Sequence, residues 1–289
     1  MCLVMVNQRM KMSMLRLAAV VPALALCAAP LSAHGGGPGG GHDDEPVNAP
    51  TWTNLAASGR ASWNKVVSLA HVLRTDSPIF PGDPLFTIDI FNTVEDDGYK
   101  LEQINIGTHT GTHVSAPCHF IEGAPCVEDL PAKMFIRPVA VIDVRDRVDC
   151  QGGDFQVTKN DIREWERRHG RIPQGAIVLL HTGFGDHYFE ESYYDFAPGF
   201  TGDAATWLMK PVSQGGRGAA GTGSDTFGPD ATSDGDFSAT YETLLAGGVT
   251  LENVVKLEKV PAQGATIVFL PARLDEGSGY QTNIIALVP

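Results

Sequence analysis

The sequence predicts a mixed α/β domain, on three observations. Short apolar runs rich in β-branched residues recur along the chain. Fewer segments of helical period alternate with them. The stretch beyond residue 60 is about 230 residues long, a size that routinely forms one domain. Hydrophobic residues make up 43% of the chain, ample for a core of that size.

In chain order, the start reads as a processing segment. Lys11 and Arg16 precede an apolar run from Leu17, which ends at the small residues Ser32 and Ala33. That pattern predicts a secretory signal over residues 1–33 and a periplasmic or secreted mature protein. The run is too short to span a bilayer comfortably, so no membrane partner is expected after cleavage. Residues 34–60 open on a glycine- and histidine-rich tract that cannot build a core and read as a flexible linker. The domain is expected over 61–289.

Within it, residues 86–92, 139–144, 176–181 and 265–270 are short, apolar and strand-like. Residues 159–169 have helical character, with Asn160 or Asp161 to cap the start and Gly170 the end. Residues 200–210 read as a second helix capped by Thr201. A strand over 249–255 carries Glu252 at an element end. Residues 215–236 are rich in glycine, serine and aspartate and read as a long surface loop. Asp225, Asp230, Asp234 and Asp236 in that loop suit either a hard cation such as calcium or ordinary loop chemistry. The net charge of −13 argues against nucleic acid and against an anionic membrane surface as partners.

The chemistry concentrates at residues 109–119, where His109, His113 and His119 fall within eleven residues. Imidazole is both a ligand for divalent transition metals and the usual general base near neutral pH. Thr110, Gly111 and Thr112 disfavour a helix. An extended reading puts His109, Gly111, His113 and Ser115 on one side, with Gly111 leaving room for an ion between the rings. Pro117 then ends the strand, and His119 lies on the turn beyond it, placed to touch water or substrate.

The same run resembles the His-x-Gly-Thr-His-x-Asp-x-Pro-x-His signature of the cyclase-like metal-dependent hydrolase family, which includes bacterial kynurenine formamidase and isatin hydrolase. Residues 77–84 (Ser-Pro-Ile-Phe-Pro-Gly-Asp-Pro) resemble its Pro-x-Tyr-Pro-Gly loop, and residues 177–184 its Leu-x-Thr-Gly-Trp strand. Pro198 to Phe200, Gly223 to Thr226 and Leu244 to Asn253 follow in the family's order, so the resemblance spans roughly residues 65–289. It implies the swivelling β/β/α fold in a single α/β domain with a mixed β-sheet core, a small-molecule substrate and a homodimer or homotetramer. Asp225, in a family-like Ser-Asp-Thr turn, is expected to hold the wall of the site in place.

Two departures bear on the metal. Ser115 stands where the family has a ligand aspartate. Twelve residues before Glu252, where the family has a distal histidine, stand Thr240 and then Tyr241, and no histidine occurs from 188 to 289. The expectation is therefore one divalent ion per chain, zinc or manganese, bound by His109 and His113 and completed by Glu252 or Ser115. His119 is the expected general base, with Glu252 contributing to catalysis, and Phe80 and Phe120 flank an apolar substrate. The activity implied is hydrolysis of a small amide, lactam or arylformamide by activated water. The alternative is a non-catalytic protein of the same fold that binds a metal or small molecule. Cys118, Cys126 and Cys150 remain after signal removal; a Cys118–Cys126 bridge, an apolar-spacer role for Cys118 and a soft-ligand role for it in the metal pocket are all open.

Overall fold

Alternation along two central strands decides the layering. The computed structural model describes residues 63–289; the signal over 1–33 and the linker over 34–60 lie outside the described residues. The strands are β1 (Lys65–Ser68), β2 (Thr87–Asn92), β3 (Leu101–Asn105), β4 (His113–Ser115), β5 (Ile136–Asp143), β6 (Gln156–Val157) and β7 (Ile177–His181). They continue with β8 (Gly199–Phe200), β9 (Gly221–Ser224), β10 (Val249–Glu252), β11 (Thr266–Phe269), β12 (Gly279–Gln281) and β13 (Ile284–Val288). The helices are α1 (Val94–Asp97), α2 (Arg145–Gln151), α3 (Lys159–His169), α4 (Gly202–Met209) and α5 (Ser238–Leu245).

One nine-stranded sheet runs in the order β1-β13-β11-β5-β7-β9-β10-β4-β12. β5, β7, β9 and β10 are parallel, and helical segments fill the crossovers that parallel neighbours require. Both flanks are antiparallel. On β5 and β7, Val139, Val141, Ile177 and Leu179 point into one core, and Ala140, Ile142, Val178 and Leu180 into another. The second core is roofed by Ile162 and Trp165 of α3 and by Ala204 and Leu208 of α4. The first unites Val67 and Ala286 from one end of the sheet with Val114 and Leu251 from near the other, so the sheet curls around it. A curled mixed sheet with helices on its outer face is the swivelling β/β/α architecture.

Three expectations are corrected. The 215–236 stretch is not all surface loop, because β9 lies inside it as a fully buried strand between β7 and β10. Its glycines hide it from a hydrophobicity reading. A Cβ on Gly221 would lie 2.1 Å from Val249 O, and one on Gly223 2.2 Å from Leu251 O. The extended run at 109–115 shrinks to β4, since Gly111 has φ +71° and turns the chain just before it. The cap of α3 is Thr158, whose hydroxyl accepts from Asp161 N while Asp161 accepts from Thr158 N at 2.7 Å.

Candidate active site

Register builds the site. β4 pairs with β10 so that His113 lies opposite Glu252 and Ser115 opposite Thr250, all on one face, while Val114 and Leu251 fill the core behind. Ser115 Oγ donates to Glu252 Oε1 at 3.1 Å, and Thr250 Oγ1 donates to the same oxygen at 2.5 Å. His113 Nδ1 lies 2.8 Å from Gly111 O and donates to it, which leaves Nε2 aimed at Glu252 Oε2, 3.2 Å away. That approach is off the line of a hydrogen bond, so Nε2 is a buried polar atom paired by charge alone.

His109 reaches the cluster from the loop before β4. Its Nδ1 lies 3.1 Å from Ser115 Oγ and its Nε2 2.9 Å from Ser278 Oγ. A Cβ on Gly279 would lie 2.5 Å from His109 Cε1, so only glycine leaves room for the ring. His119 ends a 3-10 turn, Pro117–His119, and its ring stacks on His109 at 3.8 Å. A Cys118–Cys126 disulfide closes the loop that carries this turn, which selects the bridge over the spacer and the soft ligand.

Gly111 therefore does not make room for an ion. Leu73 occupies the space where its side chain would be, and its carbonyl orients His113. The same carbonyl accepts from Asn253 Nδ2 at 3.0 Å, and Tyr193 donates to Asn253 Oδ1 at 2.5 Å.

Burial pushes His109 down to about 3, helped by neighbouring His113 and His119. Burial likewise lowers His119. Burial opposes a charge on His113, but the Glu252 carboxylate outweighs it and raises the imidazole's pKa. Burial would raise Glu252, yet His113 and the Thr250 hydroxyl hold it down at about 2. Without a metal, then, the two form a buried ion pair.

Above this floor opens a cavity of about 700 Å³, lined by His109, His119 and Glu252 together with Phe80 and Phe120. The structure brings together every site residue the sequence singled out, with His113 and Ser115 just below the surface. Thr240, in place of the distal histidine, lines the cavity and donates to Asp230, whose carboxyl burial pushes up to about 6.

Asp225 clamps the ends of β7 and β9 by accepting from Thr182 N, Thr182 Oγ1 and Gly183 N at 2.7 to 2.8 Å. Asp230 and Asp234 accept from the start of α5. Asp225, Asp230 and Asp234 thus bond backbone and hydroxyl groups, and no three acids of the loop gather among the described residues, which favours ordinary loop chemistry over the calcium alternative. Sequence reasoning missed Ser278, Gly279, Thr250 and the cavity rings Tyr194, Phe227 and Phe237.

Among the described residues, no group of three or more His, Cys, Asp or Glu side chains is gathered as a metal shell. The chemistry of the donors nonetheless fits one cation. Buried His113 Nε2, which gives up its proton to ligate, and a buried carboxylate oxygen converge without a hydrogen bond between them, with the Ser115 hydroxyl beside them.

The Cyclase family model matches residues 67–231. Isatin hydrolase of Roseibium aggregatum is 28% identical, over 78% of this chain and 92% of that protein. Kynurenine formamidase of Bacillus thuringiensis subsp. konkukian is 26% identical, over 76% of this chain and 95% of that protein. Isatin hydrolase A of Labrenzia aggregata, solved with benzyl benzoate bound, superposes with a TM-score of 0.72 at 30% identity, covering 82% of this chain and 98% of that one. A solved isatin hydrolase bound to the product analogue thioisatinate gives the same TM-score of 0.72 at 28% identity, over 82% and 96% of the two chains. With a family model matched over more than half of its length and hydrolases aligned along most of it, the chain belongs to the Cyclase family.

Proposed function

We propose that the protein is a metal-dependent hydrolase that cleaves the C–N bond of a small amide, lactam or arylformamide. The observation that carries this reading is the convergence of His109, His113, Ser115 and Glu252 at the base of an aromatic-lined cavity, with His119 stacked at its wall. Relatives named isatin hydrolase and kynurenine formamidase support it.

His113 and Glu252, with Ser115 and His109 beside them, would hold one divalent ion, and zinc and manganese both suit that set. Such an ion supplies a Lewis acid for the carbonyl and an acidified water. His119 stays neutral because burial lowers its pKa, so it can take a proton from the attacking water. It then returns that proton to the leaving nitrogen as the C–N bond breaks, and hydroxyl is left on the carbonyl carbon. The rings of the wall exclude water and orient a flat substrate.

A second reading, a non-catalytic binder, is favoured by Ser115 and Thr240 in place of a carboxylate and an imidazole. Elemental analysis of dialysed protein separates the two when run beside formanilide turnover. About one zinc or manganese per chain with turnover, both lost in His113→Ala, is the expected result. Bound metal without turnover of any amide, lactam or arylformamide would establish the binder. Neither metal nor turnover, even after supplementation, would sink the hydrolase.

We further propose export, on the residue 1–33 pattern, and self-association through the β2–β3 hairpin. Both strands of that hairpin are exposed, Ile90 at 64% and Phe91 at 69%. An isolated two-stranded ribbon of this kind is marginal in water, and a second copy is the expected cover. Light scattering should give a dimer or tetramer that Ile90→Lys dissociates.

A further inference from the structure

The cavity joins two features that no chemistry at its floor requires. The first is a run of rings along one wall. His119 meets Phe120 at 4.8 Å, Phe120 meets Phe237 at 6.0 Å, Phe237 meets Phe80 at 6.0 Å, and Phe80 meets Phe227 at 5.8 Å. These edge-to-face pairs form a continuous apolar track leading away from the reacting end.

The second is charge of a single sign. Asp83, Asp195, Asp230, Asp234 and Glu252 all line the cavity, and among its described lining residues there is no lysine or arginine. Three of these acids are committed elsewhere: Glu252 to the floor, and Asp230 and Asp234 to the start of α5. The carboxylates of Asp83 and Asp195 accept no hydrogen bond from the described residues, and Asp195 is exposed. Asp83 acts on His113 and His119 near the floor, whereas Asp195, exposed on the cavity lining, acts on whatever occupies its outer part.

Resting on the hydrolase reading of this site, we propose that the cavity selects aromatic substrates whose remote end, away from the scissile C–N bond, is neutral or cationic. It rejects those whose remote end bears a carboxylate. An anion placed there loses its hydration beside several like charges and finds no cationic side chain to replace it. A cation gains both the carboxylates and the faces of the rings, and a neutral ring gains stacking alone. A metal at the floor acts on the reacting carbonyl and leaves the remote end to the acids. Charge at the far end is thereby a specificity element, with Asp195 as its determinant.

Three formanilides of matched size test this: 4-formamidobenzoate, formanilide itself and (4-formamidophenyl)trimethylammonium. Affinity is measured by calorimetry on the full chain at low and moderate salt, with initial rates in parallel. The cation should bind most tightly and the benzoate most weakly, about tenfold or more apart at low salt and less at high salt. Asp195→Asn should shrink the cation-to-anion affinity ratio by about twofold or more.

Benzoate binding equal to or tighter than the cation would overturn the proposal, as would absence of binding by all three ligands. A ratio unmoved by Asp195→Asn would overturn the assignment of Asp195 as the determinant. The expected binding order without turnover of these three, or of any other amide or lactam, would sink the hydrolase reading while leaving the charge selection standing.

Discussion

Asn253 shows how much of the site is held by residues that never face substrate. It adopts φ +53°, a left-handed conformation that asparagine tolerates better than most residues. That turn lets its amide donate to Gly111 O while Tyr193 holds its own carbonyl. Gly111 O in turn fixes the Nδ1–H of His113 and so aims Nε2 at Glu252. Asn253→Ala should therefore lower metal affinity by about 10- to 100-fold, read by chelator competition and independent of any activity assay. Ser115→Asp should have a double signature: weaker folding without metal, because two carboxylates then share the floor, and tighter metal binding. Chemical denaturation with and without zinc checks both arms. The histidines and Glu252 were legible because their spacing is local or follows a motif. Ser278 and Gly279 were not, because they arrive by the pairing of β12 with β4, and a Gly-Ser-Gly stretch carries only the signal of a turn.

Elements were legible where apolar side chains announce them. β5, β7 and β11 read directly from β-branched runs, and α3 from its period and caps. β9 did not, since its Gly-Thr-Gly-Ser sequence looks like linker. Its glycines are demanded by the approach of neighbouring backbone, a distance that only tertiary structure sets. Gly223→Ala should thus cost about 2 kcal/mol or more of stability through overpacking against Leu251 O and Leu179. Urea denaturation would show it as a lower midpoint at unchanged slope. An unchanged midpoint would mean that β9 has slack to absorb a methyl group.

For the whole molecule, stability should fall in mild acid. His71 stacks on Tyr188 at 3.8 Å, and burial, aided by Lys256, lowers its pKa from 6.5 to about 4. A base with a depressed folded pKa binds protons more readily when unfolded. Its neutral form therefore costs nothing above pH 6.5, and stability is lost as pH falls from 6.5 towards 4. The loss from this residue is at most about 3 kcal/mol, less whatever solvent screening removes. His71→Phe preserves the ring stack, removes an orphaned buried nitrogen and should flatten the stability profile over that pH interval. A slope unchanged in that variant would assign acid sensitivity to other groups. At this scale the α/β class and the family were legible, because motif order survives along most of the chain. The curl of the sheet was not, because it arises from contacts between the two ends of a nine-stranded order.

The Cys118–Cys126 bridge ties down the short turn that presents His119. The protein consequently carries a record of where it was made. Chain folded in a reducing cytosol should emerge with both thiols open to alkylating reagents and with the imidazole loosely mounted. Chain folded where thiols oxidise should be alkylation-resistant there. Two preparations of the same domain would then differ in specific activity, and mild air oxidation should convert the weaker into the stronger.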